Sequence, residues 1–390
     1  MKADYVIRNG RVIDPLNNID EIRDVVIQNM HIIDAKGQDI ECDHVINSSG
    51  CIVTPGLIDF HCHVFHEGSA ISIYPDMMIA QGTTAAVDAG SAGTSTYEAF
   101  HKTVIDRSIM RLKTFLTVYG GGQLDPNLCE DFNPDLYNLE KTERLIDKYR
   151  DEILGLKIRI SKGVVPDEKG LDYLKYLVDL ADKINDKLQT NLRVCVHTTN
   201  SPVEADRLAE ILRPGDIFCH CYQGVGNTIL EEDGTVRDGI KKAREKGVIF
   251  DAANGKGNFG IAVAQKALKD GFYPDIISSD LTVDKFNMPP YAKNLPTVLS
   301  KYLTMGMKLP DVIRAATATP AQIMGMEKKI GTLMPGAYAD IAVFKLKNII
   351  FEHKDWCNDT LLAKELLVPQ MTLSSGEIQY CQNDFYLTNN

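Results

Sequence analysis

The chain has no basic run, and its formal net charge is −11, from 42 Lys and Arg against 53 Asp and Glu. That balance argues against nucleic acid or an anionic membrane as the main partner. No apolar stretch approaches the ~18 residues that a membrane helix needs. The opening MKADYVIRNGRVID lacks a basic segment followed by an apolar one, so no secretory leader is expected and the cytoplasm is the expected compartment. There is no C-x-x-C pair, which argues against a zinc knuckle. Nine scattered cysteines, in a chain too long to need disulfides, read as reduced and mostly buried thiols. No G-x-G-x-x-G follows the first central strand, which weighs against a doubly wound dinucleotide-binding sheet. Internal repeats and low-complexity segments are missing too. What remains is an ordinary globular composition, 44% hydrophobic and 24% charged over 390 residues. It excludes disorder and leaves room for two or three domains, or one large barrel with an addition.

The first 50 residues read as short strands with tight turns. Tyr5-Val6-Ile7-Arg8 followed by Asn9-Gly10 predicts a hairpin, and 12–14, 25–27 and 31–33 continue the pattern. The same texture returns at 331–333, 339–344 and 378–380, so the two chain ends are expected to form one small β-sandwich. Between them, strand candidates at 56–60, 83–88, 113–118, 155–160, 193–197, 216–220, 248–252 and 276–280 alternate with helical patterns such as 171–185, 202–212, 239–246 and 261–269. Eight strands with intervening helices predict an α/β fold of the (β/α)8 TIM barrel type. The expected division is 1–54 with 332–390 as the sandwich, and 55–331 as the barrel.

His61-Cys62-His63 directly follows the first barrel strand. In an extended chain residues i and i+2 point the same way, so both imidazoles face one side. A lone H-x-H arises often by chance. Here, however, His197 closes the strand RVCVH, His220 closes DIFCH and Asp280 closes IISSD. The C-terminal strand ends of a barrel converge on one face. Each residue alone reads as a core histidine or a helix cap; together at the strand ends they point to a metal site. Lys157 lies within the apolar strand GLKIRI. Burial drives an amine toward its neutral form, and a neutral amine reacts with carbon dioxide to give a carbamate able to bridge two metals. Alone it would read as a snorkelling lysine; among these strands the bridge is favoured. Cys62, between two ligands, is expected to point into the barrel wall rather than to act as a nucleophile. Arg159 shares the direction of Lys157, and serves either as a fork for a substrate carboxylate or as a structural ion pair. Tyr222 and Asn254 are expected to line the pocket. Gly255-Lys256-Gly257 reads as a flexible loop rather than an anion cradle.

The segment Thr54-Pro55-Gly56-Leu57-Ile58-Asp59-Phe60-His61-Cys62-His63 resembles the first-strand signature of the amidohydrolase superfamily. The stretch 331–344, GTLMPGAYADIAVF, resembles that superfamily's return into its β-sandwich. The resemblance covers essentially the whole chain and is nearest to the dihydroorotase-like branch with a binuclear centre. Within it, Gly155-Leu156-Lys157-Ile158-Arg159 with His220-Cys221-Tyr222-Gln223-Gly224 resembles the amidohydrolase/deacetylase members, some of which remove acyl groups from N-acyl or O-acyl acids. The resemblance implies His61, His63 and Asp280 on the more buried metal, carboxylated Lys157 as the bridge, and His197 and His220 on the more exposed metal. Both ions would be divalent and usually zinc. It also implies a mechanism, in which a bridging hydroxide attacks an amide or ester carbonyl while Asp280 takes the proton and passes it to the leaving group. Such relatives often carry a histidine where Asn254 stands, a departure that concerns the substrate and leaves the metal set intact. Three other readings are an adenine or other nucleobase deaminase, an isoaspartyl dipeptidase, dihydroorotase or hydantoinase, and a catalytically dead dihydroorotase-like scaffold. Lys157 weighs against the mononuclear deaminases, and six filled ligand positions weigh against the scaffold. The expected partners are a small acidic substrate and further copies of the chain.

Overall fold

The computed structural model describes residues 1–389 except 126 and 129. Seven short segments of small and β-branched residues become parallel strands: β1 (Leu57–Cys62), β2 (Thr83–Asp88), β3 (Arg111–Thr117), β4 (Ile153–Arg159), β5 (Arg193–His197), β6 (Ile217–Cys219) and β7 (Ile249–Asp251). They lie in sequence order in one sheet. β1 and β2 are buried along their whole length, as strands covered on both faces must be. The sheet curls. Ile58, Phe60, Ala85, Val87, Phe115 and Cys195 pack together on its inner face. Leu57, Ala86, Leu116, Leu156 and Val194 belong to the larger core that the helices cover.

The eighth expected strand, 276–280, is not a strand of its own. Parallel bridges tie Ile276 to Asp251 of β7 and Leu281 to Cys62 of β1. The Asp280 amide donates to the His61 carbonyl (2.6 Å) and the His63 amide to that of Leu281 (3.1 Å). This segment thus spans the two edges of the curled sheet. The helices Gly170–Leu188, Ala205–Ile211, Asp238–Lys246 and Ile261–Lys269 follow β4 to β7 in turn. The first of them buries Leu174, Leu177, Val178, Ala181 and Ile184, a three-to-four spacing that lays one apolar stripe on the sheet.

The chain ends supply a six-stranded and a four-stranded sheet. Ile7, Val25, Ile27 and Ile46 of the smaller share a cluster with Val12, Val53, Ile341, Val343 and Leu373 of the larger. The hairpin expected at Asn9-Gly10 is not formed. Tyr5–Arg8 pairs with Val25–Gln28 and Val45–Asn47, whereas Arg11–Asp14 pairs with Ile19–Ile22 and Ile52–Pro55 in the other sheet. Asn9 does take the left-handed conformation (φ 62), but Gly10 lies hard against the Val53 side chain, so the chain turns a corner between sheets. A long hairpin, Ile341–Lys354 with Thr360–Ser374, leaves the larger sheet. Its tip reaches the loops after β6 and β7, where the Ile261 amide donates to Asp355 Oδ2 (2.7 Å).

Among the described cysteines all eight are free and five are buried; Cys129 lies outside the described residues. No helix among the described residues is long and apolar enough to cross a membrane.

Candidate metal centre

β1 runs into His-Cys-His. A register irregularity between Asp59 and Cys62 breaks the alternation that puts Ile58 and Phe60 on the inner face, and it turns Cys62 toward the helix-facing core, with Sγ 3.6 Å from the Val87 carbonyl. It sends His61 and His63 inward, with ring centroids 5.9 Å apart. Parallel register then sets Arg159, His197, Cys219 and Asp251 side by side across β4 to β7. His220 and Asp280 stand just past their segments, and both adopt left-handed backbone (φ 60 and φ 49). That conformation costs a non-glycine residue of order 1 kcal/mol or more, and surrounding contacts must hold it. At His220 the turn swings the ring against those of His197 and His61, at centroid distances of 4.3 and 4.9 Å.

These elements bring together His61, His63 and Asp280, whose ligand atoms all lie within 4.8 Å of one another. Asp280 Oδ1 is 3.8 Å from His61 Nε2 and 3.4 Å from His63 Nε2. Lys157 and His197 line the same pocket, a cavity of about 260 Å³. His220 is fully buried behind them.

The other ring nitrogens are occupied. His61 Nδ1 is 3.2 Å from Asp251 Oδ2, and His63 Nδ1 is 2.9 Å from Ser91 Oγ. His220 Nδ1 donates to the Ala253 carbonyl (2.8 Å), which fixes its tautomer and leaves a lone pair on Nε2. That Nε2 is buried and has no hydrogen-bond partner. Buried polar atoms without a partner are rare, and this one, on a ring packed against those of His61 and His197, fits a cation.

The charges suit that reading. Burial holds His61 and His197 well below the ordinary histidine pKa, helped by Lys157 and His220 in the first case and by His220 and Arg159 in the second. Burial lowers His220 to about 3. These imidazoles are therefore neutral at neutral pH, the form in which a histidine can ligate a cation. For Asp280, burial opposes ionisation, but Lys285, His63 and His220 outweigh it and hold the carboxyl well below its usual range. Lys157 corrects the expectation from sequence. Burial does act against its charge, but Cys195, Cys219 and Asp280 more than offset this, and its pKa is raised. Its Nζ lies 3.5 Å from Cys195 Sγ, whose own partner, Cys219 Sγ, is 3.1 Å away. The neutral amine expected from burial alone is thus not what these neighbours favour.

Arg159 lines the pocket and is paired with Glu130, so the ion-pair alternative is realised at the pocket wall. Tyr222 does not face the pocket. Its hydroxyl donates to the Phe272 carbonyl (2.6 Å) inside the helix-facing core, because two residues beyond the turn at His220 the chain points outward. Asn254 is buried behind the pocket too, donating to the Ser278 carbonyl (2.9 Å) and accepting from Lys301 Nζ (2.8 Å). The loop after β7 is anchored rather than free. Gly255 (φ 51) donates to the Ser279 carbonyl (2.9 Å), and a Cβ there would collide with Asp280 Oδ2. Asn258 donates to the same Oδ2 (2.7 Å). Asn258, Lys285 and Glu130 were not found from sequence, because they lie on irregular loops without period; the spacing of Lys285, five residues after Asp280, was the one available hint.

Residues 52–378 match the amidohydrolase family. A deacetylase of Agrobacterium fabrum is 31% identical over 342 residues, covering 85% of this chain and 80% of the relative. A deacetylase of Enterococcus faecalis is 28% identical over 381 residues, covering 97% of this chain and 99% of the relative. Among solved structures, an adenine deaminase superposes with a TM-score of 0.86 at 25% identity, covering 97% of this chain and 100% of that one. A dihydroorotase superposes with a TM-score of 0.82 at 26% identity, covering 97% and 98%.

Proposed function

This chain belongs to the amidohydrolase family, and from that premise we propose that it deacylates a small N-acyl or O-acyl acid. It is a metal-dependent hydrolase of carbon–nitrogen bonds, and the deacetylase relatives support the acyl group as the part removed. We read the curled sheet with segment 276–281 as a (β/α)8 barrel over 55–331. The two terminal sheets are read as one β-sandwich built from 1–54 and 332–390.

The observation that carries the proposal is the convergence of His61, His63 and Asp280 beside a buried His220 Nε2 that has no partner. In this reading His61, His63 and Asp280 hold one divalent cation, His197 and His220 a second, and Lys157, once carboxylated, joins them. Imidazole and carboxylate donors suit zinc. Two bound cations would supply an activated water at neutral pH and polarise the scissile carbonyl. The chain's own residues do the rest. Asp280, ionised and steadied at Oδ2 by Asn258, accepts a proton at its carboxylate and returns it to the leaving nitrogen or oxygen. Lys285 stands on the pocket wall beside Asp280 and Arg159 is already paired with Glu130, so the preference for an acyl acid rests on the deacetylase relatives. For that reason the adenine deaminase reading, favoured by the structural likeness, ranks second.

Metal analysis of protein prepared with zinc and bicarbonate is the test. About two ions per chain are expected in the wild type and one or none in Lys157→Ala, with acetate released from N-acetyl or O-acetyl acids. One ion, unchanged by the substitution, together with ammonia released from adenine, would overturn the proposal in favour of the deaminase.

A further inference from the structure

The metal pocket continues outward. A second cavity, of about 490 Å³, adjoins it and shares Ile71, Thr282 and Lys285 with it. Its outer wall is formed by Val283 and Trp356, which are 57% and 55% exposed. Trp356 is not contributed by the parallel sheet or its helices. It sits at the turn of the long hairpin, brought there from the larger terminal sheet. Asp355 pins that turn, accepting from the Ile261 amide (2.7 Å) and from the Asp359 amide (2.9 Å). Lys256, on the loop after β7, lies between the rings of Tyr291 and Trp356, its Nζ 5.5 and 5.6 Å from their centroids. The cavity therefore joins an apolar wall to two ammonium groups, Lys256 and Lys285, the second of which also bonds Asp280, 3.1 Å from its carbonyl oxygen. The acidic side chain that also lines it, Asp284, is engaged by the Thr282 hydroxyl.

We propose that this cavity is the subsite for an apolar side group of aromatic size on a carboxylate-bearing substrate, and that Trp356 and Val283 determine specificity. The side group stacks on the indole, and the carboxylate lies toward Lys285 and Lys256. The placement follows from the shared wall: a molecule with its acyl group in the metal pocket meets an apolar surface past Ile71 and Thr282. A tryptophan face and an ammonium group side by side favour an aromatic acid over a short aliphatic one. The inference rests on the acyl-acid reading above and names the side group of that substrate.

Trp356 is the chain's only tryptophan, so its fluorescence reports the subsite without turnover. N-acetyl-phenylalanine and N-acetyl-alanine, each as both enantiomers, are titrated into zinc-loaded protein. The phenylalanine derivative is expected to change the emission saturably at concentrations about tenfold lower than the alanine derivative. Val283→Glu keeps the fluorophore and is expected to remove that preference with the metal content unchanged. In hydrolysis, Trp356→Ala is expected to raise KM for the phenylalanine derivative about tenfold and to change the alanine derivative less than twofold. Hydrolysis of both acids with equal concentration dependence and a silent Trp356 would overturn the subsite and leave the acyl-acid reading standing. Failure to bind or hydrolyse either acid would overturn both.

Discussion

His61 owes its usefulness to a neighbour that never touches the pocket. Asp251 is fully buried on β7, with Oδ2 3.2 Å from His61 Nδ1 and Oδ1 accepting from the Ser278 hydroxyl (2.6 Å). Burial pushes its pKa up to about 8, against the opposing Ser278 hydrogen bond. At neutral pH its proton is therefore available for sharing with the imidazole. Asp251→Asn retains the shape and an acceptor oxygen, but the amide cannot exchange a proton with His61 Nδ1 as the carboxyl can. Zinc affinity is expected to fall about 10–100-fold, the usual cost of losing such a support, measured by competition with a chelator. Equal affinity in wild type and variant would remove Asp251 from the metal centre. The histidines and Asp280 were legible because each closes a candidate strand. Asp251 stood in the same position, at the end of the seventh, yet no H-x-H-like pattern drew attention to it. Its role depends on register with Cys219 and on the distance to β1, which only the closed-up fold supplies.

The strands and helices of the parallel part were read almost in place, since buried parallel strands are continuous apolar runs and their covering helices carry a regular stripe. The long hairpin was not. Its second strand contains Pro369, which opposes Phe344 beside a register shift. A proline inside a run demotes it in any pattern reading, although a bulge accommodates it. Beside this hairpin, the helix Leu295–Thr304 buries Lys301. The Lys301 ammonium lies 3.8 Å from the Phe259 ring centroid and bonds Asn254. Burial lowers its pKa to about 7, with Asp355 opposing. The folded chain therefore binds fewer protons here than the unfolded chain between pH about 7 and the ordinary 10.5. Lys301 contributes stability that rises with pH across that window and is lost as pH falls back through it. Lys301→Met is expected to flatten this rise. The urea midpoint of the variant, minus that of the wild type, should be higher at pH 7 than at pH 9.5. A difference that is constant with pH would show that Lys301 does not titrate in the fold.

In the proposed division the parallel part is an insertion between the two chain ends. Ile341 pairs with Pro55, so the chain leaves the parallel part beside the point where it entered, and one terminal body can be assembled from both ends. The proposed ligand set has the opposite layout. It is drawn from β1, β4, β5, the residue after β6 and segment 276–281, far apart in sequence and adjacent only after the sheet curls. A cation held by these residues therefore cross-links the first strand to the last segment, and it binds the folded chain alone. Such a ligand stabilises by RT ln(1 + [L]/Kd), about 2.7 kcal/mol at a hundredfold excess over Kd. At roughly 2–4 °C per kcal/mol for domains of ~150–250 residues, and less for longer chains, that is a midpoint shift of several degrees. Chelation is expected to lower the thermal midpoint by that amount, and added zinc to restore it. In Lys157→Ala, which is expected to hold fewer ions, the shift should shrink. The order of these effects matters more than their size, because any buried substitution lowers a midpoint, but only loss of a shared cation makes the variant insensitive to the chelator. If chelation strips the metal and the midpoint stays still, the cations do not tie the two edges of the sheet together, and the ring is closed by the backbone bridges of segment 276–281 alone.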